Sequence, residues 1–500
     1  MTSSFEAADG ALQRFEHLYI DGQWVKPVDG SLAESIDPAT GKPWALVAMG
    51  GRGDIDRAVE AARKAFRSWR RMPGHERAAI LRRFADAYMA AIPEMVPLEV
   101  RDSGRIITDA RADLGAHVQW YQWFASLADK QQGTTIPIDD SVLCFTTRVP
   151  VGVVGAVTPW NAPLLTICLK LGAALAAGCT MVVKPAESTS ISTLMLGRIA
   201  DQAGLPPGVL NIVPGYGRDI GEHLVAHPGV DKISFTGAGN TAKQMLKTGA
   251  DTLKRFTFEL GGKAPHIIFA DADLEQALNA ATSSAWTNCG QSCALGSRVL
   301  VERPVYEQVV EMFRERARTV KVGMPMDETT RMGPQNSQQQ LDKTLSYFEI
   351  GKTDGAELIH GGRRVDSPHL ASGYFVEPTV YANVNNRMRI AREEIFGPVA
   401  SIIPFDGEEE ALEIANDTPF GLTSGLWTHD VGRAHRVAGQ IDAGIVWVNT
   451  YRYLRWSLPY GGFKQSGWGR ENGIDALDPY LENRTTVIST TGQMPNPYAG

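Results

Sequence analysis

Apolar and polar positions in the middle of the chain alternate between two periods, one proper to strands and one to helices. Residues 151–157 (VGVVGAV) form a short apolar run rich in β-branched side chains, as expected of a strand buried on both faces. The next stretch, 164–177, is rich in Leu and Ala and predicts a helix that Gly178 ends. Residues 180–183 (TMVV) predict a second strand, and 190–202 a helix stopped by Gly204 and Pro206. Strands over 210–213 and 232–235 follow, with helices near 219–226 and 241–249. Alternation at this spacing implies a parallel, doubly wound sheet covered on both faces, the pattern of a nucleotide-binding lobe.

The alternation resumes after Gly262. Helices are expected over 274–288, 305–320, 408–415 and 431–439, with strands over 297–301, 400–404 and 444–449. Those elements describe a second α/β lobe. Residues 323–374 read as a loop-rich connection without chemistry, and 54–91, with Arg and Ala on helical spacing, as a solvated helical pair. Two further segments, 138–150 and 482–490 (ENRTTVIST), have the alternating, β-branched character of paired strands.

Bulk properties narrow the class. A chain of 500 residues is too long for one ordinary core, and 43% apolar with 21% charged residues is a globular composition. The net charge is −7 and the basic residues are scattered, which argues against a nucleic-acid or anionic-membrane surface. The most apolar stretch, 151–183, is interrupted by Pro159, Asn161, Pro163 and Lys170 and cannot be one membrane span. Residues 1–20 lack the basic and apolar regions of a secretory leader. The five cysteines, odd in number and irregular in spacing, read as reduced thiols of a cytoplasmic protein.

Candidate chemistry begins with Cys293, in GQSCALGSR between a predicted helix and strand. Gly and Ser neighbours leave a thiol open to close approach. Cys144, Cys168 and Cys179 read instead as small buried hydrophobes. Glu259 lies in FELGGK, where Gly261 and Gly262 allow a sharp turn just after a strand. A carboxylate there is either a general base for a thiol or water, or a surface or helix-capping residue. Asn161, in the turn PWNAP, is either an amide donor to a developing oxyanion or an Asx-turn residue. Gly215, Gly217 and Gly221 follow a strand without G-x-G-x-x-G spacing. The run Phe235–Gly239 joins strand to helix, where backbone N–H groups suit a pyrophosphate or merely make the connection. Cys289 precedes Cys293 by four positions; a metal site would need further His or Cys ligands, and a structural cysteine or a reversible disulfide are the other readings.

Taken in order, PWNAP, KPAE (184–187), FTG (235–237), FELGGK, GQSC, EEIFGPV (393–399) and PYGGFKQSGWGRE (459–471) resemble the motifs of the aldehyde dehydrogenase superfamily, over about residues 18–488. The resemblance implies two doubly wound α/β lobes plus a β oligomerisation arm. It implies a NAD-binding domain over 1–137 and 151–262, a catalytic domain over 263–479, and an arm over 138–150 and 480–500. Cys293 is then the thiolate that adds to the aldehyde, Glu259 the base for thioester hydrolysis, and Asn161 an oxyanion donor together with the Cys293 backbone N–H. Lys170 assists the oxyanion or relays protons, or is a solvated helix lysine; Glu471 joins a proton exit path.

For the cofactor, the resemblance implies that Lys184 and Glu187 hold the adenosine ribose, which favours NAD while leaving NADP possible. Thr158 and Trp160 contribute backbone contacts, Gly217, Gly221, Gly237 and Ala238 lie at the dinucleotide, and Glu394 and Phe396 flank the nicotinamide ribose. Ala238 and Ala242 depart from the Ser and Gly often found there, which bears on cofactor affinity and mobility. The substrate pocket draws on Leu165, Leu169, Trp120, Ser292, Arg452, Trp456 and Tyr460, beside Ala162, Thr166 and Ala294, with Trp123 at the entrance. Arg452 and Arg455 among aromatic residues suggest an aromatic aldehyde or a carboxylated semialdehyde, or are surface or subunit-interface residues. A homodimer or homotetramer is implied, and a small-molecule aldehyde as partner. The competing readings are a CoA-acylating semialdehyde dehydrogenase, a non-catalytic relative, and a cofactor-free thiol hydrolase; intact Glu259, Cys293 and Asn161, with KPAE and EEIFGP, stand against them.

Overall fold

The computed structural model describes residues 12–494 and 496–498. The expected absence of a leader therefore rests largely on residues outside the described range, as does the tip of the 480–500 segment. No described helix is long and apolar enough to cross a membrane.

An eight-stranded sheet organises the first lobe, in the order Gly467–Trp468, Arg255–Glu259, Lys232–Thr236, Val153–Val157, Thr180–Lys184, Leu210–Ile212, Leu18–Ile20, Gln23–Val25. Its central strands run parallel, with Ser234 beside both Ala156 and Thr257. Every position of Val153–Val157 and Thr180–Lys184 is buried, which is why these strands read as continuous apolar runs. The helices Pro163–Ala177 and Ile191–Ala203 end at Gly178 and Gly204, both left-handed (φ 94° and 69°). Residues near 219–226 form a π-helical turn, Gly217–Gly221, and then a short helix, Glu222–Ala226.

The second lobe carries a seven-stranded sheet in the order Glu357–His360, Thr379–Ala382, Val399–Phe405, Arg298–Glu302, Pro265–Ile268, Thr423–Trp427, Ile445–Val448. Only the edge strand Glu357–His360 is antiparallel. Val142–Pro150 and Leu481–Ser489 pair antiparallel from Pro150↔Leu481 to Val142↔Ser489, and Thr135–Ile136 adds a third strand.

Four expectations are corrected. The pair over 54–91 is Arg52–Trp69 and Gly74–Ser103, and it is not solvated: Ile55, Trp69, Leu81, Phe84 and Tyr88 are all buried. Alanine on the packing face hid the stripe, and even Arg77 is buried, donating to the Met72 carbonyl at 2.5 Å. A further helix, Ile107–Leu127, was not expected. The loop-rich reading of 323–374 overlooked the 16-residue helix Gln338–Thr353 and the strand Glu357–His360. Its signal was Ser337 with Gln340 three places on, and the Ser337 hydroxyl accepts from the Gln340 N–H at 3.2 Å. Finally, the lobes do not divide cleanly along the chain. Gly467–Trp468, within 263–479, pairs with Arg255–Glu259 in the first sheet, and the arm sheet begins at Thr135 rather than 138.

Candidate active site

Between the two sheets lies a cavity of about 520 Å³ walled by residues of both lobes. Cys293, Glu259 and Asn161 all line it, as do Glu394, Phe396, Gly237, Ala238, Trp160 and Tyr460.

The thiol is delivered by a strained loop. After the helix Leu274–Trp286, Asn288, Cys289 and Gly290 are all left-handed (φ 52°, 53° and 72°). Gly290 is required there, because a Cβ would sit 2.1 Å from the Gly397 carbonyl. Strain of this kind costs about 1–3 kcal/mol per residue and collects at functional sites. Asn161 staples the loop: its side-chain amide donates to the Gln291 carbonyl at 3.0 Å, while Asn288 donates to the Asn161 carbonyl at 2.9 Å. Gln291 in turn accepts from the Asn336 N–H at 2.8 Å. Sequence reasoning passed over Asn288 and Gln291, whose polar side chains beside a reactive thiol were the available signal.

Glycines 261 and 262 make room rather than a turn, since neither is left-handed. A Cβ on Gly261 would meet a Glu394 carboxylate oxygen at 2.3 Å, and one on Gly262 the Cys293 carbonyl at 2.5 Å. The Gly262 N–H donates to Glu394 at 2.9 Å.

Burial dominates the electrostatics. It pushes the Cys293 thiol up to about 11; the Tyr460 hydroxyl, 3.4 Å from the sulfur, pulls it back, the charges of Glu394 and Glu259 raise it, and Arg452 lowers it. Glu259 closes the strand Arg255–Glu259, and neither carboxylate oxygen has a hydrogen-bond partner among the described residues. Burial, reinforced by the charge of Glu471 and opposed by Lys170, holds it well above the usual carboxylate range. Lys170 is not a solvated helix lysine: it is fully buried and ion-paired with Glu471.

The remaining cofactor candidates lie at the carboxyl ends of the first sheet. Lys184 pairs with Glu187 at 2.9 Å, and the Thr158 N–H donates to the Lys184 carbonyl at 3.2 Å. That N–H is therefore spent, yet the hydroxyls of Thr158 and Thr236 are buried without hydrogen-bond partners among the described residues. Gly217 opens the π turn and Gly221 ends it; neither glycine, nor Thr158, Lys184 or Glu187, lines the cavity itself. Phe396 is left-handed (φ 62°) and packs edge-on against Trp160 with ring centres 5.3 Å apart. Behind it, the overlooked helix Gln338–Thr353 supplies Gln340, which donates to the Phe396 carbonyl at 2.9 Å, and Lys343, which donates to the Glu394 carbonyl at 3.0 Å.

Of the expected pocket residues, Leu165, Leu169, Trp120, Ser292, Arg452 and Tyr460 line the cavity. Trp456 does not; it stands behind Trp120, edge-on at 6.2 Å. Arg455 is exposed and lies over the Tyr453 ring at 4.5 Å, and Trp123 is engaged with the Gly473 carbonyl at 3.4 Å. Arg105, Asp109 and Asp113, from the overlooked helix and the turn before it, line the cavity as well. Cys289 is buried, its thiol pushed up to about 12 by desolvation.

The model of the aldehyde dehydrogenase family matches residues 24–486. The chain belongs to that family. It is 42% identical over 480 residues to aldehyde dehydrogenase family 2 member C4 of Arabidopsis thaliana, covering 95% of each chain. Among solved structures, it resembles an NAD+ complex of aldehyde dehydrogenase from Bacillus cereus (42% identity, TM-score 0.93, covering 95% of this chain and 97% of that one). It also resembles betaine aldehyde dehydrogenase of Staphylococcus aureus in complex with NAD+ (36% identity, TM-score 0.95, 97% of each). As an aldehyde dehydrogenase the chain is an NAD(P)-dependent oxidoreductase acting on aldehydes. At the departures from the family pattern, Ala242 is buried, and Ala238 stands at the N-terminus of the helix Gly239–Gly249 with its carbonyl accepting the Ala242 N–H at 3.1 Å; nothing in the structure explains the two alanines.

Proposed function

We propose that this aldehyde dehydrogenase oxidises its aldehyde to a free carboxylic acid, with Cys293 as nucleophile and Glu259 as base. The observation that carries the reading is the convergence of Cys293, Glu259 and Asn161 on one cavity. Because burial keeps the Cys293 thiol protonated at neutral pH, attack on the carbonyl carbon needs a base. Glu259, whose two oxygens have no hydrogen-bond partner among the described residues, takes that proton when it is ionised and later one from the water that hydrolyses the thioester. The carbonyl oxygen becomes an oxyanion beside the Asn161 amide, which turns from the Gln291 carbonyl toward it. The proton taken by Glu259 passes on through the buried Lys170–Glu471 pair.

The crevice fits a dinucleotide: Thr236, whose hydroxyl is buried without a partner among the described residues, lines the cavity beside Gly237 and Ala238, and the Lys184–Glu187 pair offers a cation and a carboxylate for hydroxyl groups. When bound, NAD would supply the acceptor for the hydride leaving the thiohemiacetal carbon on Cys293. Lys184 and Glu187 would hold the adenosine ribose, Gly217, Gly221, Gly237 and Ala238 the phosphates, and Trp160, Glu394 and Phe396 the nicotinamide half. Hydrolysis rather than transfer to CoA follows from the presence of Glu259. The arm strands, with Ile136, Ile138, Val487 and Ile488 exposed, fit a homodimer or homotetramer, and reduced thiols fit a cytoplasmic enzyme.

The test is formation of reduced nicotinamide with NAD and with NADP on an aldehyde panel, beside Cys293→Ala. Turnover that vanishes in the variant supports the assignment; no turnover with either cofactor overturns it.

A further inference from the structure

Several charged side chains line the cavity besides Glu259 and Glu394, among them Arg105, Asp109, Asp113 and Arg452. Arg452 lines the same cavity as Cys293, and its Nη1 is buried without a hydrogen-bond partner among the described residues. A guanidinium carries its charge at every physiological pH, so an unsatisfied buried donor on it is a standing demand for an acceptor. The cationic groups nearby have already met theirs: Arg105 is ion-paired with Asp113 and Glu99.

Arg452 is also held in place. Its backbone is left-handed (φ 54°), an unfavourable conformation for a long side chain. The residues on either side brace it. Tyr451 packs between His266 and Trp447, with ring centres 4.8 Å from each, and its hydroxyl reaches the Ala294 carbonyl, next to the nucleophile, at 3.4 Å. The Trp447 ring N–H donates to the Tyr453 carbonyl at 3.1 Å. Backbone strain maintained by such bracing is a mark of function. The cavity that holds this cation and the thiol also has apolar walls, among them Trp120, Leu165 and Leu169.

We infer that Arg452 is the recognition site for a carboxylate carried by the substrate, so that the enzyme selects aldehydes with an anionic group set apart from the carbonyl by an apolar spacer. This rests on the dehydrogenase reading above. A planar carboxylate would satisfy the guanidinium through paired, charge-assisted hydrogen bonds. Neutral aldehydes would leave it unpaired and lose that discrimination.

The experiment compares 4-carboxybenzaldehyde with benzaldehyde on wild type, Arg452→Met and Arg452→Lys. Wild type should favour the carboxylated aldehyde in kcat/KM by roughly 10- to 100-fold. R452M should bring the ratio towards one, and R452K, which keeps the charge without the fork, should fall between. A wild-type ratio at or below one, or loss of both activities in equal proportion in R452M, overturns the proposal. A second readout needs no turnover: protection of Cys293 from iodoacetamide by 4-(hydroxymethyl)benzoate against benzyl alcohol, which lacks the carboxylate. Protection by 4-(hydroxymethyl)benzoate that R452M abolishes supports the carboxylate site even if neither aldehyde is oxidised, in which case the dehydrogenase reading alone falls. Equal protection by both alcohols, or by neither, overturns the site.

Discussion

Lys170 and Glu471 form an ion pair that solvent barely reaches, with side chains 0% and 4% exposed, and both charges act on Glu259. Removing one partner of such a pair leaves a buried charge uncompensated, at a cost of about 3–5 kcal/mol. The pair also acts on Glu259, because the charge of Glu471 adds to burial in raising the titration of that carboxyl, while Lys170 opposes it.

Glu471→Gln should therefore shift the pH profile in a defined direction. A base acts when deprotonated, so activity rises with pH through the raised titration of Glu259. Removing a neighbouring negative charge favours the carboxylate. The acid limb of kcat/KM against pH moves to lower pH in E471Q, and an unmoved or upward-shifted limb contradicts the electrostatic role.

Tyr460→Phe tests the thiol. Its hydroxyl lowers the titration of Cys293 against burial, which pushes it to about 11. Below that pH the rate of iodoacetamide alkylation should climb about tenfold per unit, following the thiolate fraction. Without the hydroxyl the thiol titrates higher still, so Y460F should be alkylated roughly three- to tenfold more slowly at pH 8.

Gly262→Ala probes the spacing behind the nucleophile. The added methyl would lie 2.5 Å from the Cys293 carbonyl, so the thiol loop must move. A displacement on the order of 1 Å at reacting groups costs about 100-fold in rate. We expect G262A to lose kcat on that scale while its circular dichroism stays native, and full activity would show that the loop can yield.

Glu187→Ser addresses cofactor choice. Glu187 is 46% exposed and paired with Lys184 at 2.9 Å. Taking away the carboxylate removes repulsion of a 2′-phosphate and frees Lys184 to meet it. The ratio of kcat/KM for NADP over NAD should rise by roughly tenfold.

Much of this could be read from order along the chain. Strands buried on both faces are legible because no polar position interrupts them, as in Val153–Val157. The left-handed stops at Gly178 and Gly204 are legible because glycine is the residue that tolerates them. The identities of Cys293, Glu259 and Asn161 follow from motifs whose spacing is local. Tertiary structure decided the rest, because it depends on groups far apart in sequence. The helices Ile107–Leu127 and Gln338–Thr353 bury faces that only their neighbours define, and they bring Asp109, Gln340 and Lys343 to the cavity. Trp456 was expected in the pocket, yet packing placed it behind Trp120. The raised Cys293 and Glu259 are consequences of desolvation, and the Lys170–Glu471 pair and the Arg452 Nη1, which has no partner among the described residues, gain their weight from it. Desolvation is a property of the surrounding atoms, and no residue carries it alone.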